Sequence, residues 1–427
     1  GHQRTADTFR HDPVQRRILA QNEDELRATG GFISGVVQVT VHDDQIEKLP
    51  FEDSYAIDAL SHPYPQPPAP LREIMLADLW LFRDSNWSPD FPTAAQKAVE
   101  LFTISREARV EGVIALDQRA ITLLLEPLGP IPVAGVDEPV TSHIVLQVAR
   151  RAWAPGEALE SAWWQSRKNI LGRVLDTALF QLEGRANQEQ MVGLGSAALQ
   201  ALREKHLLVY LRDEEAAALL RELGWDGALQ RQRGDTLMVV DVNMGFNKVN
   251  AVIEERLDYT VDLSDPAQPQ ATLTVHHRHP VDAWIGPCNQ EPRYSPTYAG
   301  MTERCHYDYL RVHASSGASL LRATPHPVPG EYPPVGTAAG GRRHRIPGRA
   351  GQDRLRHLPG AAARRASGDD LRVHPAPGHP GAHRGGLALP AHRAEAARDR
   401  RPALERRPPP ARRSGGGRRR SSSRPAE

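Results

Sequence analysis

The chain has 427 residues, 40% of them hydrophobic and 25% charged, and a net charge of +1. That length suits two or three domains, and the near-neutral total hides an asymmetry. Residues 341–427 hold 22 arginines, no lysine and 7 acids, a surplus of +15, so the first 340 residues carry −14. The main body is thus too acidic overall to suggest nucleic-acid binding, and no run approaches the roughly 20 apolar residues of a membrane-spanning helix.

Residues 1–17 are polar and weakly patterned, and are expected to be poorly ordered. The chain begins at Gly1 rather than methionine, so it reads as a fragment or a processed chain. In ELRATGGFISG (25–35), Gly30 and Gly31 follow Arg27 and precede a strand-like run. The glycines make either a tight turn into a sheet, with Arg27 in a structural ion pair, or a close backbone approach to a ligand, with Arg27 as its anion partner. GFISGVVQVTVHDDQIEKL then reads as two strands around His42-Asp43-Asp44.

SHPYPQPPAP (61–70) is an extended proline-rich loop, followed by a helix-like run over 71–81. FRDSNWSPDFP packs Arg83, Asp84, Asn86 and Asp90 into irregular chain. Asp84 and Asp90, with an amide, could hold Mg²⁺ and serve catalysis, while Arg83 neutralises a phosphate. The plainer alternative is a capped loop, with Ser85 or Asp90 capping a helix that opens at Pro92. VEGVIALD is a short strand and QRAITLLLEPLG a helix ended by Pro127 and Gly129.

From 140 to 206 the pattern is helical. WWQSRKNILGR places Arg167, Lys168 and Arg173 within two helical turns, as an anion-facing stripe or a solvated basic face. LLVYL (207–211) is a strand and EEAAALLRELGW a helix. This alternation predicts an α/β domain over 18–230, a mixed sheet with flanking helices.

Periodicity then changes to two. Residues 234–335 are predicted to form an all-β, sandwich-like domain. VNMGFNKVN reads as a hairpin turn around Gly245. HHRH (276–279) sets His277 and His279 on one strand face, but a zinc site would need a third ligand, and none is evident. The two cysteines, Cys288 and Cys305, are either buried thiols or a disulfide, which would favour an oxidising compartment.

The tail, 341–427, lacks Phe, Trp, Tyr, Met, Cys, Lys, Asn and Thr. It cannot bury enough apolar surface to offset ordering, so disorder is expected. Its residues are mostly those with GC-rich codons, the signature of a frameshift near 335–340 that would also truncate the β-domain. A frameshift product would carry no nucleic-acid function; a genuine basic tail could.

QNEDELRATGGFIS, RDSNWSPDFPTAA, VEGVIALD, LLEPLGPIPV, WWQSRKNILGRVLDTAL, ALREKHLLVYLRD and DVNMGFNKVNAVIEERLDY, in this order, resemble the bacterial domain-of-unknown-function 4012 family. Cys288 and Cys305 followed by YLRV also fit. The resemblance implies an extracytoplasmic protein, anchored in the membrane through an N-terminal segment missing from this chain. A more distant similarity, to the LytR-CpsA-Psr family, implies transfer of a glycopolymer from a polyprenyl pyrophosphate carrier. Arginines would hold the phosphates and acids a metal. Arg27, Arg83, Arg167, Lys168 and Arg173 would then be phosphate-binding, and Asp84 and Asp90 would hold Mg²⁺. The alternative is a non-catalytic envelope scaffold that binds a partner through its β-domain. Convergence of the charged positions on one pocket would favour the first, and dispersal the second.

Overall fold

The computed structural model describes residues 14–42, 45–48, 50–153, 168–230, 235–280, 295, 297–315 and 318–323, with the backbone of 339–346 and 369–374. The N-terminal region is built on a mixed sheet. Its strands are β1 (Val14–Asn22), β2 (Phe32–His42), β3 (Gln45–Lys48), β4 (Glu52–Asp53), β5 (Gly112–Leu116) and β6 (Leu207–Leu211). The order is β3-β2-β1-β5-β6, with β4 paired to β2. Only β1 and β5 run parallel; the other pairs are antiparallel.

Helices cover both faces, as the alternation of elements predicts. α1 (Ala69–Ile74) is short, and α2 (Phe91–Ser105) packs on one face. Phe91, Ala95, Ala98 and Phe102 of α2 meet Leu19, Ile33, Val113 and Ala115 of the strands in one buried cluster. On the other side lie α3 (Gln118–Leu125), α4 (Val145–Trp153), α5 (Asn169–Arg185) and α6 (Gln188–Arg203). Ala120 and Leu123 of α3 pack on Ala197 and Ala201 of α6, and Val145 and Val148 of α4 on Ile170 and Val174 of α5. α7 (Glu214–Glu222) follows β6.

Two expectations change here. The segment expected to be poorly ordered includes the start of β1, which lies inside the sheet; residues 1–13 lie outside the described residues. β1 escapes pattern recognition because Arg17 occupies a core position at 2% exposure, with its guanidinium 4.5 Å from the Phe102 ring. The helix-like run over 71–81 is helical only to Ile74, since Leu76 turns into the left-handed region at φ 55°.

The C-terminal region is strand-rich, as the period of two predicts. β7 (Leu237–Val240), β8 (Glu254–Asp262), β9 (Gln270–Arg278), α8 (Tyr298–Thr302), β10 (His306–Ala314) and β11 (Ser319–Ala323) succeed one another. They form two small sheets, and Leu273 and Val275 of β9 cluster with Leu310, Val312 and Ala314 of β10. The expected sandwich goes beyond this finding. Two segments of the Arg-rich tail, expected to lack structure, pair as strands: β12 (Ala339–Ile346) beside β10 and β13 (Asp369–His374) between β9 and β11. A strand edge offers unpaired N–H and C=O groups to any extended backbone, whatever its side chains.

A further cluster joins the two regions. Leu71 of α1, Met75 just after it and Trp87 pack against Val240, Val242 and Tyr309. Arg311 donates to the Trp87 carbonyl at 2.9 Å and lies 4.4 Å from its ring. The described residues accordingly fall in one compact unit.

Candidate functional site

The loop between β1 and β2 builds the site. It closes through the Phe32 N–H to the Glu25 carbonyl, 2.8 Å, and the Gly30 N–H to the Arg27 carbonyl, 3.1 Å. Gly30 sits at φ 127°, and a side chain at Gly31 would collide with the Asn22 backbone. Only glycine fits both demands. Thr29 accepts hydrogen bonds from Gln21 and Asn86, and Asn86 also donates to the Gly31 carbonyl at 2.8 Å. The amide of FRDSNW therefore braces the turn.

The turn aims Arg27 into a cavity of about 610 Å³. Arg27, Arg83, Asp84 and Lys168, all expected to meet phosphate or metal, line it together. Two residues that sequence reasoning missed, Phe246 and Lys248, join them from the C-terminal region. The four cations surround two aromatic rings. Arg27, Lys248 and Lys168 lie 5.3, 5.5 and 5.7 Å from the Phe32 ring centre. Arg83 and Lys168 lie 4.5 and 5.3 Å from that of Tyr55.

Buried acids offset most of this charge. Glu25 takes Arg27 at 3.2 Å and Lys248 at 2.5 Å. Burial alone would raise the Glu25 carboxyl, but these two cations hold it below its ordinary value. Lys168 meets Asp53 at 2.7 Å and the Ser34 carbonyl at 2.5 Å. Arg27 also donates to the Asn243 carbonyl at 2.9 Å, so it is a structural pair as well as a cavity wall.

Arg83 differs. Its side chain is 24% exposed, and its approaches to Asp58 and Asp84 are loose, 3.6 and 3.9 Å. No hydrogen bond is formed by its guanidinium among the described residues, which leaves its donors available to an anion at the cavity surface.

The other expected positions lie elsewhere. Asp90 is the N-cap of α2: it accepts from the Thr93 N–H at 3.1 Å and from the Leu229 N–H at 2.9 Å. Asp84 is held by Arg27 at 3.4 Å and by Arg83. Of the two carboxylates expected to hold Mg²⁺, Asp84 lines the cavity and Asp90 does not. Arg173 is exposed on α5 and off the cavity, because Ile170 and Val174 occupy the buried face of that helix. Arg167 lies outside the described residues, as does Cys288; Cys305 is buried at 3% just before β10.

The hairpin expected around Gly245 is an asparagine-bound loop instead. Asn243 donates to Asn247 at 3.0 Å and to Asn250 at 2.7 Å, Asn250 accepts from the Leu26 N–H at 3.2 Å, and Asn247 donates to the Cys305 carbonyl at 3.0 Å. This network locks VNMGFNKVN onto the Arg27 loop and sets Lys248 at the cavity.

Much of the remaining wall is apolar, with Leu71, Met75, Leu81, Leu146, Ile170 and Leu171 beside Asp24, Asp78 and Arg150. Leu60, Leu76 and Leu79 also line the cavity at 68%, 78% and 37% exposure. Beside it, Asp117 caps α3 and meets His206 Nδ1 at 2.6 Å. Glu23 accepts from the Gln118 and Arg119 N–H groups at 2.8 and 3.2 Å. Burial, aided by the Asp117 charge, pushes the Glu23 carboxyl up to about 7. Among the described residues, Glu23, Asp117 and His206 are close enough to share one cation.

With this geometry in hand, the chain can be set beside known proteins. Residues 13–153 match the family described as "Protein of unknown function (DUF4012)". The expected resemblance thus holds over those residues. No curated protein matches the chain. Solved structures that resemble part of this chain include the Lin1025 protein from Listeria innocua, at 10% identity and TM-score 0.29, covering 53% of this chain and 87% of that one. TagU of Bacillus subtilis is 11% identical, with TM-score 0.28, 52% of this chain and 100% of that one covered. TagT, solved bound to LI-WTA, is 12% identical, with TM-score 0.27, over 51% and 76%.

Proposed function

We propose that this cavity binds the phosphate end of a polyprenyl-phosphate lipid, free or carrying an envelope glycopolymer, in an extracytoplasmic and membrane-associated protein. The observation that carries this function is the division of one cavity into two chemistries. Four cations ring Phe32 and Tyr55, with Arg83 holding unspent donors, and aliphatic side chains line much of the remaining wall. An amphiphile with an anionic head and a branched hydrocarbon tail matches both halves: the head accepts from Arg83, and the tail removes apolar wall from water. Leucines 60, 76 and 79, exposed along the same cavity, suit the passage of such a tail from a bilayer.

Transfer of the glycopolymer would place the developing phosphoryl charge among the same cations. Mg²⁺ held by Asp84 and Asp90 is not part of this proposal. The test is binding of a long-chain polyprenyl phosphate to the full chain in detergent. Arg83→Ala is expected to weaken binding by about tenfold or more, one charge-assisted contact being worth about 1.5–3 kcal/mol, with the melting temperature nearly unchanged. A large loss of stability with unchanged affinity would overturn the assignment and favour a scaffold in which Arg83 only pairs Asp58.

A further inference from the structure

We propose that Asp241, Glu255 and His277 form a binding site for a divalent transition-metal ion of the Zn²⁺ class, remote in role from the lipid cavity. Two of the three residues come from different elements than the HHRH run that first drew notice. Glu255 and His277 are direct cross-strand partners on β8 and β9. Asp241 directly follows β7 in the other small sheet. His279, the expected second histidine, instead meets the Arg304 carbonyl at 2.9 Å.

The geometry suits a metal. His277 Nε2 stands 3.2 Å from Glu255 Oε2 and 3.5 Å from Asp241 Oδ1. All three ligand atoms lie within 4.8 Å of one another. Tetrahedral bonds of about 2.0–2.2 Å to nitrogen and oxygen put neighbouring ligand atoms about 3.4 Å apart. The ligands are therefore already at coordination spacing.

A second, independent observation points into the same place. The Asp241 side chain is only 9% exposed, and its Oδ1 accepts no well-formed hydrogen bond. Asp308 of β10, 3% exposed, presents Oδ2 in the same condition, while its Oδ1 accepts from the Val242 N–H at 3.1 Å. Neither oxygen has a well-formed hydrogen bond, and buried carboxylate oxygens so placed are costly unless a cation satisfies them. A dication held there would bring two positive charges to the acids. Imidazole with carboxylates is a donor set for Zn²⁺ or Mn²⁺ rather than for the all-oxygen shells of Mg²⁺ and Ca²⁺. Bound there, the ion would tie β7 to the β8–β9 hairpin, one small sheet to the other.

The full chain, stripped with EDTA, is titrated with ZnCl₂ by calorimetry, and its retained zinc is measured after gel filtration. One equivalent is expected, with a rise in melting temperature. Glu255→Gln changes a side chain that is 33% exposed, so the metal-free fold should survive. It should weaken zinc binding by about 100-fold, since loss of even an outer partner of a metal ligand costs about 10–100-fold. His277→Gln should do the same. The proposal is overturned if no equivalent is retained, or if both variants bind like the unaltered chain. It is equally overturned if zinc is lost only in His206→Gln, which would place the ion at Glu23, Asp117 and His206.

Discussion

Arg17 and Glu23, six positions apart in the chain, both show what burial does to a charge. Arg17 lies on the core face of β1, and desolvation pushes its guanidinium down to about 10. Its Nε and Nη2 find no acceptor. Arg17→Met keeps the length, removes the buried charge and should stabilise the fold by about 1–3 kcal/mol; a lower melting temperature would show that the guanidinium contributes more than the contact with Phe102. For Glu23 the sign runs the other way along pH. Its folded-state pKa of about 7 exceeds the ordinary 4.5, so the folded chain binds the proton more tightly than the unfolded one. Stability is therefore lost as pH rises from about 4.5 to about 7. Glu23→Gln, which can still accept from the start of α3, should raise the melting temperature at pH 8 and leave it almost unchanged at pH 4.5. An equal shift at both values would contradict the raised carboxyl.

Elements explain which parts of the site were legible. α2 was readable because Asp90 and Pro92 mark its start by local chemistry alone. The same fact removes Asp90 from the site. Asp90→Ala should cost about 1 kcal/mol of stability and leave lipid binding unaltered; a loss of binding at unchanged stability would return Asp90 to the site. Arg27, Arg83 and Lys168 were legible because they stand next to a glycine turn, in an irregular loop and at a helix start, where side chains face clefts. Lys248 was not, because its partner Glu25 is 223 positions away, and VNMGFNKVN imitates a hairpin turn. Asp241 and Glu255 were hidden for the same reason: only strand pairing brings them to His277. β1 was hidden because a buried arginine breaks the apolar alternation by which strands are recognised.

Across the whole molecule, the strand-rich region completes the cavity rather than standing apart. Lys248, Phe246, Tyr298 and Met301 line it from beyond residue 230. Arg150, Tyr298 and Asp24 close one side, with Arg150 bidentate on Asp24 at 2.6 and 2.9 Å. Tyr309 and Arg311, both of the YLRV stretch, clasp Trp87. Arg311→Ala should therefore destabilise the chain by about 2 kcal/mol and weaken lipid binding indirectly; two separate unfolding transitions with the cavity's affinity intact would show that the regions are independent. Among the described residues no helix is long and apolar enough to cross a membrane. The lipid, in this account, is met through the cavity. The most direct test compares a long-chain polyprenyl phosphate with the matched polyprenol, in detergent, on the full chain and on Arg83→Ala. The expected result is that the phosphate binds about tenfold or more tightly than the alcohol, and that Arg83→Ala removes the difference. Equal affinity for phosphate and alcohol, or no binding of either, would contradict the account.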